Sequence, residues 1–315
     1  MSTYILVTGG AGFIGSCLVE RLLKNEEYYV VVADNLSTGD RRKLPPSSTP
    51  QFKFIHCDVN DYKSIASVMQ AYRFDYVFHY AAVVGVQRTQ QHPIQVLQDI
   101  VGLDNICKLS KVTGVKRLFF SSSSEVYGEP FEIPQRVDTT PLNSRVPYAV
   151  VKNIGEAYLR SYYQEYGMEY SIFRFFNTYG PRQSLDFVMS KFLISAMKNE
   201  DITIYGDGTQ TRTFCYIDDN IEACVNAFEK NLMINEVANI GGDNEIMIKD
   251  LAELIIRKTD SKSKIVNLPP LKDGDMKRRC PDNEYMKTTL LTRPLTTLED
   301  GIDKMLEQGL FDMNR

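Results

Sequence analysis

The chain has 315 residues, of which 43% are hydrophobic and 24% charged, the composition of an ordinary folded protein of one or two domains. A formal net charge of −4 at pH 7 argues against nucleic acid as a partner, and the densest basic run, residues 277–279, is too short to bind more than a local anion. No apolar run approaches the roughly 20 residues of a membrane span and residues 1–7 are too few for a signal sequence, so we expect a cytoplasmic protein without a membrane partner.

Apolar strand-like runs alternate with helical patterns through the first half of the chain. Strands are predicted at 4–7, 28–33, 52–57, 76–80, 116–122 and 170–176. Helices are predicted at 15–24, 61–72, 93–113 and 148–166. This alternation is typical of α/β proteins with a doubly wound parallel sheet of Rossmann type. The second half has mixed character, so we predict a first domain at 1–178 and a smaller C-terminal α/β lobe at 179–315 that interleaves with it.

The first predicted strand runs into the sequence Thr-Gly-Gly-Ala-Gly-Phe-Ile-Gly at residues 8–15. Here Gly9 makes a tight turn, Gly12 lets a ligand approach the backbone, and Gly15 lets the following helix pack against the strand. Such a turn presents backbone N–H groups and the positive end of a helix to a pyrophosphate. We therefore predict that a dinucleotide binds at this turn. The predicted contacts are Gly9, Gly12, Phe13, Ile14 and Gly15.

An acidic residue ends the second predicted strand. Asp34 lies about 20 residues beyond the glycine turn, where a carboxylate can accept hydrogen bonds from both hydroxyl groups of a ribose. Because a carboxylate repels a 2′-phosphate, we predict NAD rather than NADP as the cofactor. Arg41 and Arg42 lie close enough in sequence to leave NADP open.

Small or polar residues stand where the next two strands end. Asp58 and Val59 follow the third strand, and Tyr80, Ala81 and Ala82 close the fourth. In a doubly wound sheet this edge faces the ligand, so we predict that these residues contact the cofactor, with Asp58 on the adenine side. The alternative for Asp58 is a cap at the N-terminus of the helix that follows.

A serine-rich run at 121–128 ends the next strand and therefore lies on the same edge of the sheet. Downstream, Tyr148 and Lys152 are four residues apart and share one face of a predicted helix. A neighbouring ammonium and a positive nicotinamide ring both favour the phenolate form. We therefore predict that Tyr148 acts as a general base near neutral pH, below its ordinary pKa of about 10. The alternative is a simple surface Tyr/Lys pair.

The six cysteines and three histidines show no C-x-x-C pair and no metal-ligand spacing, so we predict no metal site. The cysteines are interpreted as small buried hydrophobic residues. His79 ends a buried strand, and we interpret it as a hydrogen-bonded core residue rather than a catalyst.

Further motifs extend this pattern along the whole chain. The complete series is T-G-G-A-G-F-I-G at 8–15, D-N at 34–35, C-D-V at 57–59, H-Y-A-A at 79–82, S-S-S-S-E-V-Y-G at 121–128, P-Y-A-V-V-K at 147–152, R-F-F-N-T-Y-G-P-R at 174–182, Y-G-D-G-T-Q-T-R at 205–212 and R-R-C-P-D at 278–282. This series resembles the extended short-chain dehydrogenase/reductase family, specifically its NAD-dependent epimerase/dehydratase group, which acts on nucleotide sugars.

The resemblance implies a catalytic triad of Ser123, Tyr148 and Lys152. In this triad the serine and tyrosine contact the 4-hydroxyl of the sugar, and the lysine holds the nicotinamide ribose. The resemblance also implies that Asn35 and Ser121 lie beside the cofactor. Hydride transfer from C4 would yield a bound 4-keto sugar, which members of the family then epimerise, decarboxylate or dehydrate.

The same resemblance implies the partners of the protein. The substrate would be a nucleotide-diphosphate sugar, most simply a UDP-linked hexose, held through arginine side chains whose planar geometry suits phosphate. The predicted substrate contacts are Ser123, Asn177, Arg182, Arg212 and Arg279. The resemblance also implies a homodimer formed through the helices near 93–113 and 148–166.

A few positions distinguish the possible reactions. Ser124 and Glu125 stand where 4,6-dehydratases carry Asp-Glu, which disfavours dehydration, but the pair resembles the Ser-Glu of UDP-glucuronate decarboxylases and makes Glu125 a candidate catalytic residue. A glucuronate needs a cation for its carboxylate, and the stretch after Arg182 lacks the additional arginine of glucuronate-using relatives. Unless Arg182 or Arg88 turns inward, a neutral hexose is favoured.

We therefore predict a nucleotide-sugar 4-epimerase, with a UDP-glucuronate decarboxylase as the alternative. A non-catalytic NAD-binding sensor is a lesser alternative, because such relatives usually lose the active tyrosine or lysine, and this chain retains both. Two departures from the family pattern, Val151 and the pair Gln98-Asp99, affect the expected geometry around the cofactor but remove no reacting group.

Overall fold

The computed structural model describes residues 2–270 and 276–310, without the side chains at 86 and 87. Its strands are β1 (Thr3–Thr8), β2 (Tyr28–Asp34), β3 (Phe52–His56), β4 (Tyr76–His79), β5 (Arg117–Ser123), β6 (Glu169–Phe175), β7 (Thr178–Tyr179), β8 (Ile202–Tyr205), β9 (Thr211–Thr213), β10 (Cys215–Tyr216), β11 (Glu236–Ile240), β12 (Glu245–Met247) and β13 (Ile265–Leu268). Its helices are α1 (Phe13–Leu22), α2 (Tyr62–Tyr72), α3 (Val86–Gln91), α4 (Pro93–Thr113), α5 (Pro147–Tyr166), α6 (Val188–Met197), α7 (Ile217–Glu229), α8 (Ile248–Lys258) and α9 (Leu298–Gln308).

Seven parallel strands form the central sheet in the order β3-β2-β1-β4-β5-β6-β11. The chain builds outward from β1 to β3 on one side and then returns to place β4 on the other side of β1. The order of the strands therefore reverses between β1 and β4, which is where doubly wound sheets bind their ligands. The predicted α/β fold of Rossmann type is confirmed.

Alternate residues of the central strands pack into two separate cores. In β1, Ile5 and Val7 pack in the core that contains α1 and α7, whereas Leu6 packs in the core that contains α2, α4 and α5. All three side chains are fully buried. A strand covered by helices on both faces has no solvent-facing side, which explains the continuous apolar runs in the sequence.

Local signals in the sequence set several of the helix boundaries. Helix α4 occupies the predicted residues, with Pro93 in its first turn and Gly114 as a left-handed C-cap at φ +79°. Helix α1 begins at Phe13, two residues before the predicted start, because Gly12 is its N-cap. The short helix α3 was not predicted.

Elements beyond residue 178 contribute to both parts of the molecule. Strand β11 pairs with β6 and completes the central sheet, and α7 packs against α1. The remaining strands form three two-stranded sheets, in which β7 pairs with β10, β8 with β13 and β9 with β12. The predicted C-terminal lobe also includes residues 271–275 and 311–315, which lie outside the described residues. No helix in the described part of the chain has the length and apolar character required to cross a membrane.

Candidate active site

A cavity of about 380 Å³ opens at the carboxyl ends of β1, β2, β4 and β5, beside the reversal in strand order. It brings together nearly all of the residues that the sequence predicted for the site. The predicted residues that line it are Gly9, Gly12, Phe13, Ile14, Gly15, Asp34, Asn35, Asp58, Val59, Tyr80, Ala81, Ala82, Ser121, Ser123, Glu125, Tyr148, Lys152, Asn177 and Arg279.

The glycine turn fits a pyrophosphate because it leaves no room for side chains. Gly9 has a positive φ of +69°, and a Cβ atom at Gly15 would stand 2.3 Å from the carbonyl oxygen of Gly9. A Cβ atom at Gly12 would stand 3.1 Å from the same oxygen. Gly12 caps α1 without a side-chain hydrogen bond, so the N-terminus of the helix is open to an anionic ligand.

Asp34 is held in place at the end of β2. Its carboxylate accepts hydrogen bonds from the backbone N–H groups of Ala11, at 2.9 Å, and Leu36, at 2.8 Å. Burial raises the pKa of Asp34, and these two hydrogen bonds oppose that increase. A carboxylate at this point of the cavity suits the hydroxyl groups of a ribose.

Arg41 and Arg42, which kept NADP possible as the cofactor, both have partners outside the cavity. The guanidinium of Arg41 donates to the carbonyl of Pro45 at 2.8 Å and lies over the ring of Phe54. Arg42 pairs with Asp40 at 2.5 Å. Neither arginine lines the cavity.

Asp58 does not cap helix α2, because Asp61 takes that role by accepting a hydrogen bond from the N–H of Lys63. The two oxygens of Asp58 accept from the N–H of Asn60, at 2.8 Å, and from the side-chain amide of Asn35, at 3.1 Å. The capping alternative for Asp58 is therefore wrong. Asn35 and Asp58 form a hydrogen-bonded pair on the cavity wall.

The triad residues meet where β5 and α5 approach each other. The hydroxyl of Ser123 hydrogen-bonds to the phenol of Tyr148 and also accepts from the N–H of Glu125 at 3.2 Å. The ammonium of Lys152 lies 3.4 Å from the hydroxyl of Ser121 and 5.7 Å from the centre of the Tyr148 ring. The side chains of Ser121, Ser123, Tyr148 and Lys152 all line the cavity.

The protein groups by themselves do not lower the pKa of Tyr148. Burial and the nearby carboxylate of Glu125 raise this pKa, and the hydrogen bond with Ser123 only partly opposes them. The lowering expected from the sequence therefore does not come from the protein groups, and it stays a prediction for the protein with NAD bound. Burial lowers the pKa of Lys152 to about 8, while the carboxylate of Asp99 acts in the opposite direction.

His79 is a buried, hydrogen-bonded residue, as interpreted from the sequence. Its Nδ1 lies 2.8 Å from the hydroxyl of Thr8, and its ring stacks on Phe120. Burial, and secondarily the charge of Lys152, lowers its pKa to about 3, so the ring is neutral at physiological pH.

Glu125 and Arg279 form an ion pair inside the cavity. Oε1 of Glu125 accepts from the guanidinium of Arg279 at 3.1 Å, and both side chains are largely buried. Nε of Arg279 also lies 3.3 Å from the sulfur of Met276. The two residues are 154 positions apart in the chain, so no local sequence pattern could have revealed the pair.

Asn177 lines the cavity in a strained backbone conformation. Its φ is +22°, and its side-chain amide donates to the carbonyl of Thr213 at 3.0 Å. A non-glycine residue in such a conformation is often found at a functional site. Asn177 therefore stays a candidate ligand contact.

Two of the predicted substrate contacts lie outside the cavity wall. Arg182 pairs with Glu20 and donates to the carbonyl of Lys43, so it faces α1 rather than the cavity. Arg212 is buried in β9 and donates to the carbonyl of Thr211 at 2.7 Å. Arg88 is also turned away, towards Asp186 at 3.4 Å and the carbonyl of Val84.

Other cavity residues were not identified from the sequence. They include Ser37, Thr38, Val83, Val84, Gly85, Gln95, Phe175, Thr178, Gln183, Phe187, Val188, Met189 and Phe214. Ser37 and Thr38 follow the Asp-Asn motif after one intervening residue, Leu36, which could have signalled their position. Asp99, noted in the sequence only as a departure, accepts from the N–H of Val83 at 2.7 Å and lines the wall near Lys152.

The fold and the cavity define the class of protein: a Rossmann-type protein in which a glycine turn of the dinucleotide-binding kind and the side chains of Ser123, Tyr148 and Lys152 face one cavity. A model of the NAD dependent epimerase/dehydratase family matches residues 5–241. The chain belongs to this family, and its cofactor is NAD.

Several relatives are similar over nearly the whole chain. UDP-glucuronic acid decarboxylase 6 of Arabidopsis thaliana is 34% identical over 313 residues, which cover 96% of this chain and 88% of that protein. The structure of UDP-glucose 4-epimerase with UDP-glucose from Thermotoga maritima has a TM-score of 0.90 at 33% identity, covering 97% of this chain and 98% of its own. UDP-glucuronic acid 4-epimerase from Bacillus cereus, in complex with UDP-glucuronic acid and NAD, has a TM-score of 0.86 at 30% identity and covers 98% and 100%.

Both epimerases and decarboxylases therefore occur among the relatives. Their shared properties are the dependence on NAD and the action on nucleotide sugars.

Proposed function

We propose that this protein is a 4-epimerase of a nucleotide-diphosphate-linked neutral hexose, most simply UDP-glucose or UDP-galactose. The observation that carries the proposal is the charge of the cavity wall. Carboxylates are contributed by Asp34, Asp58, Asp99 and Glu125. Among the described residues, the lysines and arginines of the wall are Lys152 and Arg279.

Neither of these cations is available to a sugar carboxylate. Lys152 belongs to the triad, and Arg279 is paired with Glu125. The two other candidates, Arg88 and Arg182, pair with acidic residues away from the wall. A buried carboxylate at C6 of the sugar would therefore lack a partner and would be costly, whereas a neutral CH₂OH group would not.

The triad has the groups that reversible oxidation at C4 requires. NAD, when bound, supplies a reversible hydride acceptor. We assign Tyr148 as the base that takes the proton of the 4-hydroxyl, Ser123 as the donor that polarises that oxygen, and Lys152 as the cation that stabilises the phenolate. If the resulting 4-keto sugar turned its opposite face towards the site before the hydride and the proton were returned, C4 would be inverted without a change in mass.

Other residues of the cavity are assigned to binding. The glycine turn would hold the pyrophosphate of NAD, Asp34 its ribose hydroxyls, and Asn35 with Asp58 its adenine side. Asn177 and Arg279 are the proposed contacts to the substrate diphosphate. Arg279 would use the terminal nitrogen that does not bond Glu125, so the ion pair would stay intact and this arginine would not be left over for a sugar carboxylate. Arg182 and Arg212 lie outside the wall, and we do not assign them this role.

UDP-glucuronate decarboxylation is the second candidate. Glu125 is paired with Arg279 in the cavity, and release of that arginine would provide a cation for a substrate carboxylate. The 34% identity to a UDP-glucuronic acid decarboxylase supports this alternative. It requires Glu125 to part from Arg279, whereas the neutral-hexose reaction leaves the pair intact.

We further propose that the protein is a homodimer. Ile94, Leu97 and Val101 form an exposed apolar stripe on α4, at helical spacing. On the neighbouring α5, Tyr163 and Tyr166 are also exposed. A second copy packed against this helix pair would bury both sets of side chains.

Product identification tests the reaction. The purified protein is incubated, without added reductant, with UDP-glucose, UDP-N-acetylglucosamine or UDP-glucuronate, and the products are examined by mass spectrometry and proton NMR. We expect an unchanged mass and an inverted C4 proton from a neutral hexose. Loss of carbon dioxide from UDP-glucuronate would instead establish the decarboxylase.

A pair of tyrosine variants on α5 tests the assignment of the base. Tyr148→Phe removes the phenol of the triad, and we expect kcat to fall by about 10²–10⁴-fold. Tyr163→Phe is the matched control, because Tyr163 lies on the same helix but outside the cavity wall, and phenylalanine keeps the ring that the proposed dimer contact would bury. Equal activity of Y148F and the wild type would overturn the assignment, and no turnover of any nucleotide sugar by the wild type would favour the sensor alternative.

A further inference from the structure

A buried ion pair lies directly behind the triad. Glu156 on α5 and Arg174 on β6 are both at most 1% exposed, and neither lines the cavity. Nε of Arg174 donates to Oε1 of Glu156 at 2.8 Å, and a terminal nitrogen donates to Oε2 at 2.7 Å. Burial acts to raise the pKa of Glu156, but the guanidinium of Arg174 holds it below its ordinary value, so the pair is charged at neutral pH.

The pair is the centre of a hydrogen-bond network that connects four elements. Oε1 of Glu156 also accepts from the hydroxyl of Ser122 on β5 at 2.7 Å. The other terminal nitrogen of Arg174 donates to the phenol oxygen of Tyr127 at 2.8 Å, and that phenol donates to Asn239 on β11 at 2.7 Å. The network therefore joins α5, β5 with the turn that follows it, β6 and β11.

Each of the first two elements carries reacting residues next to a member of the network. Ser122 directly precedes Ser123, and the turn Ser124–Tyr127 contains Glu125. On α5, Glu156 follows Lys152 by one turn and Tyr148 by two turns, so the three residues share one face of the helix. The contacts of Glu156 consequently determine how that face of α5 is held against β5.

We propose that Glu156 and Arg174 are positioning residues, which hold α5 in register with β5 so that Tyr148 and Lys152 stay in contact with the serines of the site. This inference rests on the proposed catalytic role of the triad. A buried ion pair is often replaceable by apolar side chains without loss of stability, so stability alone gives no reason for one here. A two-point contact does fix direction as well as distance, and catalysis is sensitive to displacements of about 1 Å.

Two serine variants on neighbouring strands distinguish positioning from a merely structural role. Ser122→Ala removes the hydroxyl that joins β5 to Glu156. Ser171→Ala on β6 is the matched control, because the Ser171 hydroxyl is also buried and also makes one 2.7 Å hydrogen bond, to the carbonyl of Met233. Both variants lose one buried hydrogen bond of the same length, but only Ser122 is joined to the network. Ser122 also lines the cavity, so the change in KM must be read beside the change in kcat.

We expect S122A to lower kcat by about tenfold to a hundredfold with little change in KM, and S171A to leave both constants near the wild-type values. Both variants should show a similar, small decrease in the urea concentration at half-unfolding. Equal kcat values for the two variants, with the wild type active, would overturn the positioning role and leave the proposed function intact.

A second readout does not require turnover. The ionisation of Tyr148 is followed in the protein loaded with NAD, where the positive nicotinamide ring is expected to lower the pKa. The signal is the phenolate absorbance, taken as the difference between each protein and the same protein carrying Tyr148→Phe. We expect S122A to shift the midpoint of this titration and S171A to leave it unchanged. If the wild type turns over no nucleotide sugar, the proposed function fails, and an unshifted midpoint in S122A would still overturn the positioning role.

Discussion

Lys152 is a charged residue that the fold buries almost completely. The residue is 3% exposed, and its ammonium lies 3.4 Å from the hydroxyl of Ser121 and 5.0 Å from the centre of the Phe120 ring. Burial lowers its pKa from 10.5 to about 8, even though Asp99 opposes the change. Placing a cation beside the base is useful for chemistry, but at this site it reduces the stability of the folded protein.

The pH dependence of stability should reveal this cost. Between pH 8 and 10.5 the unfolded chain holds the proton of Lys152 and the folded chain has released it, so stability rises with pH in this window. Below pH 8 both states are protonated and the full cost applies. We therefore expect Lys152→Met to increase the free energy of unfolding by up to about 3 kcal/mol at pH 7. Loss of the hydrogen bond to Ser121 reduces this increase.

The increase in the free energy of unfolding that K152M causes should become smaller as the pH approaches 10. Urea unfolding at each pH measures it. Lys53→Met serves as the control, because Lys53 is an exposed lysine on β3 and should show no such trend. A K152M gain that is the same at pH 7 and pH 10 would contradict the argument.

At the scale of the elements, the turn between β1 and α1 serves two purposes through different glycines. Gly12 has an ordinary extended conformation, with φ −73°, and stands at the open N-terminus of the helix. Gly15 lies inside α1, where an added Cβ would meet the backbone at Gly9 and Gly10 at 2.3 and 2.8 Å. We therefore propose that the first glycine controls the approach of the cofactor, whereas the second lets the helix pack closely on the turn.

Alanine at these two positions should separate the two purposes. We expect Gly12→Ala to weaken NAD binding on the order of tenfold or more while lowering the urea unfolding midpoint much less than Gly15→Ala does, because its Cβ would be 3.1 Å rather than 2.3 Å from the carbonyl oxygen of Gly9. Gly15→Ala should lower both the affinity for NAD and the urea unfolding midpoint, because the backbone at Gly9 and Gly10 must shift. Isothermal titration of NAD into the nucleotide-free protein, together with urea unfolding, measures the two effects. A G12A protein that binds NAD like the wild type would show that the cofactor does not approach this glycine.

At the scale of the whole molecule, one face of the first half remains partly apolar. Ile94 is 70% exposed and Val101 is 50% exposed, although both lie on a long, well-formed helix. Single exposed apolar residues are common, but a stripe at helical spacing indicates a contact surface. Helix α4 also carries Gln98 and Asp99 in the cavity wall, so a contact made there would be close to the cofactor site.

Charges on this stripe should prevent the proposed dimer. We expect the double variant Ile94→Glu, Val101→Glu to sediment as a monomer in analytical ultracentrifugation, because a carboxylate cannot be buried in an apolar interface without a partner. Met197→Glu is the control: Met197 is an exposed apolar residue on α6, on the other side of the sheet. A wild-type monomer, or dissociation caused equally by M197E, would reject this interface.

Much of the candidate site could be predicted because its chemistry depends on neighbours along the chain. The glycine turn, Asp34 at the end of β2, and the Tyr148–Lys152 spacing are local patterns, and the structure brings all of them to one cavity. The parallel sheet follows from the same kind of information, because continuous apolar runs require helices on both faces. These features were determined by the sequence alone, since strand, turn and helix geometry act over a few residues.

Only the tertiary structure decided where the distant side chains point. Arg279 meets Glu125 and lines the cavity, whereas Arg182, which the same kind of motif predicted as a substrate contact, pairs with Glu20. Likewise, β11 joins the central sheet from the second half of the chain. The physical reason is that a long side chain can reach several partners, and the choice depends on which charged groups the packing of remote elements brings within a few ångströms.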